Sequence, residues 1–148
     1  MSPENTSVCH ILLVEENPVD VDLTKRAFTR DNRPTIFDLA RDGEEALGFI
    51  TQWEKGVPTP TFILLDLKLP KIDGLQVIRE IKLHPKYRVI PIVVLTSSSE
   101  DRDIQVAYNL GANSYIVKEI DFERFTNIAA EVKLYWCHLN ILPASAVR

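Results

Sequence analysis

The chain has 148 residues and a formal net charge of −4. This length suits one domain that buries its core without a metal or a disulfide. Charged residues make up 26% of the chain, as in ordinary globular proteins, which excludes a disordered or fibrous protein. The lack of excess Lys and Arg argues against nucleic acid or an anionic membrane as a direct partner.

The two cysteines lie near the two ends of the chain, at Cys9 and Cys137. They show no metal-binding spacing, and a disulfide between them requires the two ends to meet. We predict two free thiols in a reducing compartment. The opening sequence MSPENTSV lacks the basic and apolar stretches of a signal peptide, and the longest apolar runs are shorter than the ~20 residues of a membrane span. We expect a cytoplasmic protein with no membrane partner.

Short apolar runs alternate with longer segments of helical period. This pattern is typical of buried parallel strands that are covered by helices. The first strand leads into a helix over about Pro18 to Arg30, which Asn17 caps. The fourth helix is capped by Ser98 or Ser99, and Gly111 ends it. The five predicted strands are His10–Val14, Ile36–Ala40, Phe62–Asp66, Ile90–Thr96 and Ser114–Val117.

The five strand-helix units predict an α/β fold. Since crossovers in parallel sheets are right-handed, the economical topology is an open three-layer sandwich with the sheet between helices. We predict one domain over residues 10–139, with an N-terminal tail at 1–9 and a C-terminal tail at 140–148. Ligand chemistry in such sheets lies at the carboxyl ends of the strands.

Polar side chains follow or close four of the predicted strands. Glu15 and Glu16 follow the first strand, Asp66 closes the third, Thr96 closes the fourth and Lys118 follows the fifth. Because the carboxyl ends of parallel strands meet at one edge, we expect these side chains to face one another. Carboxylate oxygens in a shallow position suit hydrated Mg²⁺, which shares its coordination with phosphate oxygens. The cluster therefore predicts a phosphoryl site with a carboxylate nucleophile.

Four segments, ILLVEENP, ILLDLKLPKIDG, IVVLTSS and NSYIVK, resemble the motifs of the response-regulator receiver family. The resemblance covers roughly residues 10 to 139. It implies a CheY-like, flavodoxin-like (βα)5 sandwich with five parallel strands in the order 2-1-3-4-5. It also implies a stand-alone response regulator of a two-component phosphorelay, which catalyses only its own phosphorylation and dephosphorylation.

The resemblance also implies residue roles. Asp66 is the phosphoacceptor, Thr96 donates a hydrogen bond to the phosphoryl group, and Lys118 pairs with it. Tyr115 matches the switch aromatic, which turns inward as Thr96 moves and so changes the face formed by the fourth helix, fifth strand and fifth helix. The implied Mg²⁺ ligands are Glu15, Glu16, Asp66 and the backbone carbonyl of Lys68.

The stretch from GVPTPTFILLDLKLPKIDG to KLYWCHLNILP is similar, more narrowly, to the small response regulators of cyanobacterial phytochromes. This similarity implies a sensor histidine kinase of the phytochrome type as phosphodonor, and a downstream protein or phosphotransfer partner. Apolar residues near the chain end either pack on their own domain or form an interface. The family resemblance favours a homodimer through the face of the fourth helix, fifth strand and fifth helix. These apolar residues are Tyr135, Trp136, Leu139, Ile141 and Leu142.

Two positions depart from the family pattern. Glu16 stands where Asp is usual, and its extra methylene disturbs a metal that tolerates little distortion. Glu119 stands where a cis proline is common, so we expect a trans or strained loop and a further negative charge near the site. Lys68 either compensates this charge or lies in solvent.

Other interpretations compete with the phosphoacceptor. Asp66 and Lys118 alone are explained by a structural ion pair. The departures at Glu16 and Glu119 favour a pseudo-receiver, which binds partners without phosphorylation. An α/β phosphatase would need a second acid two residues after Asp66, and that position is Lys68. The spacing and order of the strand-end residues favour the phosphoacceptor.

Overall fold

The computed structural model describes residues 8–143, so most of the predicted N-terminal tail and more than half of the predicted C-terminal tail lie outside the described residues. The strands are β1 (Cys9–Val14), β2 (Thr35–Ala40), β3 (Phe62–Leu65), β4 (Ile92–Thr96) and β5 (Ser114–Val117). The helices are α1 (Pro18–Phe28), α2 (Gly43–Glu54), α3 (Gly74–Leu83), α4 (Asp101–Leu110) and α5 (Phe122–Lys133). A 3-10 turn at Tyr87–Val89 precedes β4, and a π-helix at Leu134–Leu139 continues α5.

The five strands form one parallel sheet in the order β2-β1-β3-β4-β5. One face of the sheet packs against α2, α3 and α4, and its core includes Trp53, Ile78 and Ala107. The other face packs against α1 and α5 around Phe28 and Phe125. The predicted three-layer α/β fold and its strand order are confirmed.

The first and fourth helices show how their ends are set. Asn17 accepts hydrogen bonds from the N–H groups of Val19 and Asp20, which confirms the predicted cap of α1. Gly111 ends α4 with a left-handed φ of 114°, as predicted. The predicted Ser98 or Ser99 cap of α4 is wrong, because the helix begins two or three residues later. The Ser98 hydroxyl instead donates to the Asp103 carboxylate at 2.5 Å.

The two cysteines form a disulfide, so the prediction of two free thiols is wrong. Cys9 is the first residue of β1, and Cys137 lies in the π-helix that continues α5. Because α5 packs on the sheet beside α1, its continuation reaches the start of β1, and the two Cα atoms are 5.5 Å apart. Among the described helices, none is long and apolar enough to cross a bilayer.

Candidate functional site

The residues that follow β1, β3 and β5 meet at one edge of the sheet. Parallel pairing places Val14 beside Leu65, so Glu15 and Asp66 leave neighbouring strands at the same level. Thr96 is paired with Val117, which brings Lys118 to the same edge from the other side. The strand pairing therefore brings three charged groups and a hydroxyl together at this edge of the sheet.

The Lys118 ammonium lies at the centre of this cluster. Its Nζ donates to Glu15 Oε1 at 2.8 Å and to Asp66 Oδ2 at 3.0 Å. It also donates to Asp20 Oδ2 at 3.2 Å. The strand-end pattern in the sequence did not predict Asp20 as a site residue, because Asp20 lies on a helix. The available signal was its position three residues after the Asn17 cap, in the first turn of α1.

The second oxygen of Asp66 accepts two further hydrogen bonds. Thr96 Oγ1 donates to Asp66 Oδ1 at 3.0 Å, and the backbone N–H of Lys68 donates to the same oxygen at 3.1 Å. Thr96 is fully buried, so its hydroxyl is held against the carboxylate by the strands around it. Both Asp66 oxygens thus point at defined donors.

Burial and charge act in opposite directions on the pKa values of this cluster. Burial raises the pKa of Glu15, whereas the hydrogen bond from Lys118 lowers it. Burial alone would lower the pKa of Lys118, but the carboxylates of Glu15 and Asp66 outweigh it and raise that pKa above its ordinary value. Lys118 is therefore a fixed positive charge at neutral pH.

Two predicted site residues lie at the edge of the cluster. Glu16 and Lys68 are exposed, and neither side chain forms a hydrogen bond or ion pair with another described residue. Both line an open cavity of about 480 Å³ together with Glu15, Asp66 and Lys118. The structure thus places Glu16 next to the cluster, and it leaves the Lys68 ammonium in solvent.

The loop from β3 to α3 is held close to Asp66 by small residues. A Cβ atom at Gly74 would lie 2.5 Å from the Asp66 carbonyl oxygen, and one at Gly43 would overlap the Ile72 backbone. Within this loop Lys71 has a φ of 65°, a left-handed value that is uncommon outside glycine. The tight packing defines the path of the backbone that carries Lys68.

Tyr115 is half-buried and points toward the loop after β4. Its hydroxyl donates to the Ser98 carbonyl at 2.9 Å, and burial raises its pKa. The ring also packs on the core that α2, α3 and α4 cover. Ser98 lies two residues after Thr96, so the aromatic and the buried hydroxyl are joined through a short stretch of backbone.

The loop after Lys118 accommodates Glu119 without proline. The Lys118–Glu119 peptide is trans, as one of the two expected outcomes. The Glu119 carboxylate pairs with Arg124 on α5 at 3.3 Å. Its charge is thereby partly neutralised by a neighbour of its own.

The acidic edge has the donor chemistry of a Mg²⁺ site. Glu15, Glu16 and Asp66 supply the hard oxygens that this ion prefers, and they share one cavity. Within residues 8–143, no group of three His, Cys, Asp or Glu side chains is arranged so that it could hold a metal ion. Glu15 and Asp66 are instead paired with the Lys118 ammonium.

Comparison with known proteins decides the family. The family model of the response regulator receiver domain matches residues 11–130. This chain belongs to the response regulator receiver family. Receiver domains of this kind are signalling modules of two-component systems.

Three relatives show how far the similarity reaches. The receiver is 41% identical over 137 residues to the probable methanogenesis regulatory protein FilR2 of Methanothrix harundinacea, covering 92% of this chain and 88% of FilR2. It is 34% identical to response regulator Rcp1 of Synechocystis over 98% of this chain and all of Rcp1. The crystal structure of the Mn²⁺-bound form of Rcp1 matches this fold with a TM-score of 0.82, covering 91% of this chain and 99% of the Rcp1 chain.

The third relative is the phosphorylated cyanobacterial phytochrome response regulator RcpA. Its crystal structure has a TM-score of 0.86 and 35% identity, covering 93% of this chain and all of the RcpA chain. The resemblance to the response regulators of cyanobacterial phytochromes is therefore close over nearly the whole receiver.

Proposed function

We propose that this receiver is a stand-alone response regulator that accepts a phosphoryl group on Asp66 from a sensor histidine kinase. The observation that carries the proposal is the environment of the Asp66 carboxylate. It lies 3.0 Å from both the Thr96 hydroxyl and the Lys118 ammonium, at the mouth of an open cavity. These are the groups that a developing phosphoryl charge requires.

The chemistry follows from this arrangement. An oxygen of Asp66 forms a bond to phosphorus as the bond between phosphorus and the donor's leaving group breaks, which gives an acyl phosphate. Lys118 balances the charge on the phosphoryl oxygens, and Thr96 donates a hydrogen bond to one of them. Mg²⁺, when bound, neutralises further charge. We propose that its ligands are Glu15, Glu16, Asp66 and the Lys68 carbonyl, a proposal that the Mn²⁺-bound form of Rcp1 supports.

The signal leaves the site through Thr96 and Tyr115. Movement of the Thr96 hydroxyl toward a phosphoryl oxygen pulls on the loop whose Ser98 carbonyl holds the Tyr115 hydroxyl. We propose that this changes the α4-β5-α5 face and a downstream protein or phosphotransfer partner recognises it. We also propose homodimerisation through this face, since Tyr108 on α4 is 48% exposed. The π-helix after α5 adds exposed Leu134, Tyr135 and Leu139.

The kinase is proposed from the relatives. RcpA and Rcp1 support a phytochrome-type kinase, whereas the higher identity to FilR2 supports a kinase of another sensory class. Phosphotransfer from each kinase type to this receiver, compared at equal concentrations, separates the two. We propose a cytoplasmic location, where the Cys9–Cys137 disulfide would be exposed to reducing conditions.

Intact-mass analysis after incubation with acetyl phosphate tests the proposal. We expect a Mg²⁺-dependent, base-labile gain of one phosphoryl mass in the wild type and none in Asp66→Asn. Asp73→Asn is the matched control, because Asp73 only caps α3 and Asn also caps helices. An unmodified wild type, with a kinase donor as well, would support the pseudo-receiver instead.

A further inference from the structure

Lys118 has three N–H donors and three carboxylate partners. Glu15 and Asp66 are proposed metal ligands, and Asp66 is the proposed phosphoacceptor, whereas Asp20 has neither role; all three pair with Lys118. Asp20 comes from the first turn of α1, lines the same open cavity, and has a side chain that is 38% exposed. Lys118 is therefore shared between a reacting group, a metal ligand and a carboxylate with no other assigned task.

Filling the site changes the partners of Lys118. A divalent cation on Glu15 and Asp66 competes with the ammonium for the same oxygens, since both are positive charges on hard ligands. A phosphoryl group on Asp66 removes one carboxylate charge and brings new oxygens. Asp20 is the carboxylate partner that neither event occupies. Its charge-assisted hydrogen bond to Lys118 is therefore the one for which neither the cation nor the phosphoryl group competes.

We propose that Asp20 is a positioning residue, which holds the Lys118 ammonium beside Asp66 while the cation and the phosphoryl group occupy the site. The inference rests on the proposed function, because it assigns a task within the same phosphorylation. Asp20 makes and breaks no covalent bond in it. Its effect passes entirely through Lys118.

A surface ion pair without a task predicts the opposite behaviour. Exposed ion pairs contribute little to stability, and removing an acid near the site reduces repulsion of an anionic phosphodonor. Loss of Asp20 would then leave phosphorylation unchanged or make it faster. A positioning residue predicts slower phosphorylation, so the sign of the change separates the two.

The first experiment compares rates of phosphorylation by acetyl phosphate at saturating Mg²⁺. We expect Asp20→Asn to be about tenfold slower than wild type, since a displaced catalytic group costs rate steeply. Asp20→Glu, which keeps the carboxylate, recovers part of the rate. Asp22→Asn is the matched control: Asp22 lies on the same helix and pairs with Arg26 in solvent. An equal or faster rate in Asp20→Asn overturns the proposal.

The second experiment is a double-mutant cycle with Lys118→Ala. We expect Asp20→Asn to have no further effect on the rate in that background. The same loss with and without Lys118 overturns the proposal, because Asp20 would then act independently.

Titration of Mg²⁺ without any phosphodonor provides a readout besides phosphorylation. We expect Asp20→Asn to raise the dissociation constant for Mg²⁺ several-fold in the presence of Lys118. The reason is that Mg²⁺ displaces the ammonium from Glu15 and Asp66, and without Asp20 the displaced ammonium has no carboxylate partner. We expect no such change in the Lys118→Ala background. An equal increase in both backgrounds overturns the proposal. A wild type that binds Mg²⁺ but takes no phosphoryl group refutes the proposed function and still tests Asp20 by this titration.

Discussion

Asp42 shows how one carboxylate couples a helix end to the loop beside the site. Its side chain is buried, accepts a hydrogen bond from the Glu45 N–H at 2.7 Å and lies 3.5 Å from the Lys71 ammonium. The hydrogen bond from Glu45, with the charge of Lys71, lowers the pKa of Asp42 below 3.8. The folded state thus favours the ionised form.

This pKa shift predicts part of the acid sensitivity of the fold. A carboxyl whose folded pKa is lowered stabilises the protein above its unfolded pKa, and that stability is lost as pH falls through the folded pKa. We expect Asp42→Asn to lose less unfolding free energy than wild type between about pH 7 and pH 3. Denaturant unfolding of both proteins at the two pH values measures this loss of unfolding free energy. Equal losses in the two proteins would show that Asp42 does not contribute.

Residues at strand ends could be predicted from the sequence, and residues on helices could not. Glu15, Asp66, Thr96 and Lys118 were predicted to converge because parallel pairing alone brings strand ends together. Asp20 reaches Lys118 only through the placement of α1 against the sheet, which no local pattern encodes.

Lys133 gives a second example of what the helical pattern does not reveal. It is a buried cation on α5, whose ammonium donates to the carbonyls of Phe28 and Arg33 and to Asp31 at 2.5 Å. A charged residue in a helix is normally expected in solvent. Its burial depends on acceptors at the end of α1 and in the loop that follows, 100 to 105 residues earlier in the chain.

At the scale of elements, the start of α2 is packed against the loop that leads from Asp66. Gly43 opens this helix where a side chain would overlap the Ile72 carbonyl. We expect Gly43→Ala to lower the unfolding free energy by about 1–3 kcal/mol, because a backbone contact must move. We also expect slower phosphorylation, since the loop carries Lys68.

Gly48→Ala provides the matched control within the same helix. A Cβ atom at Gly48 meets nothing within 4 Å. Replacing an unrestrained helical glycine stabilises a helix by about 0.5–1 kcal/mol. Thermal or denaturant unfolding of both variants therefore gives opposite signs, and a stabilised Gly43→Ala would show that the loop adapts freely.

The number and order of the elements were predictable, but several ends were not. β4 begins at Ile92 instead of Ile90, because the Tyr87–Val89 turn and Pro91 delay the ladder. α4 starts after Glu100, without a side-chain cap. Apolar periodicity sets which face of an element is buried, whereas its ends depend on single hydrogen bonds.

At the scale of the whole molecule, the Cys9–Cys137 disulfide joins the first strand to the last helical segment across 128 positions. Such a long closed loop restricts the unfolded chain, so we expect Cys137→Ser to lower the unfolding free energy by about 2–5 kcal/mol. Denaturant unfolding with and without a thiol reductant measures this. Reduction should bring wild type to the level of Cys137→Ser and leave that variant unchanged.

The disulfide could not be predicted from the sequence, because the two ends of the chain meet only in the complete fold. Cys9 and Cys137 become neighbours only when α5 packs beside α1 and its π-helix continues past β1. A wild type with two alkylatable thiols and the same stability in oxidant and reductant would contradict the predicted effect.

The same bond makes residues 9–137 a covalently closed ring. A protease cut within the exposed segment at Gly56–Val57 opens that ring without releasing a fragment, because both pieces are still joined through sulfur. The β1-α1-β2-α2 portion and the remainder of the sheet would migrate as one species until a reductant is added. A nicked receiver can thus keep both halves of its phosphorylation site on one molecule.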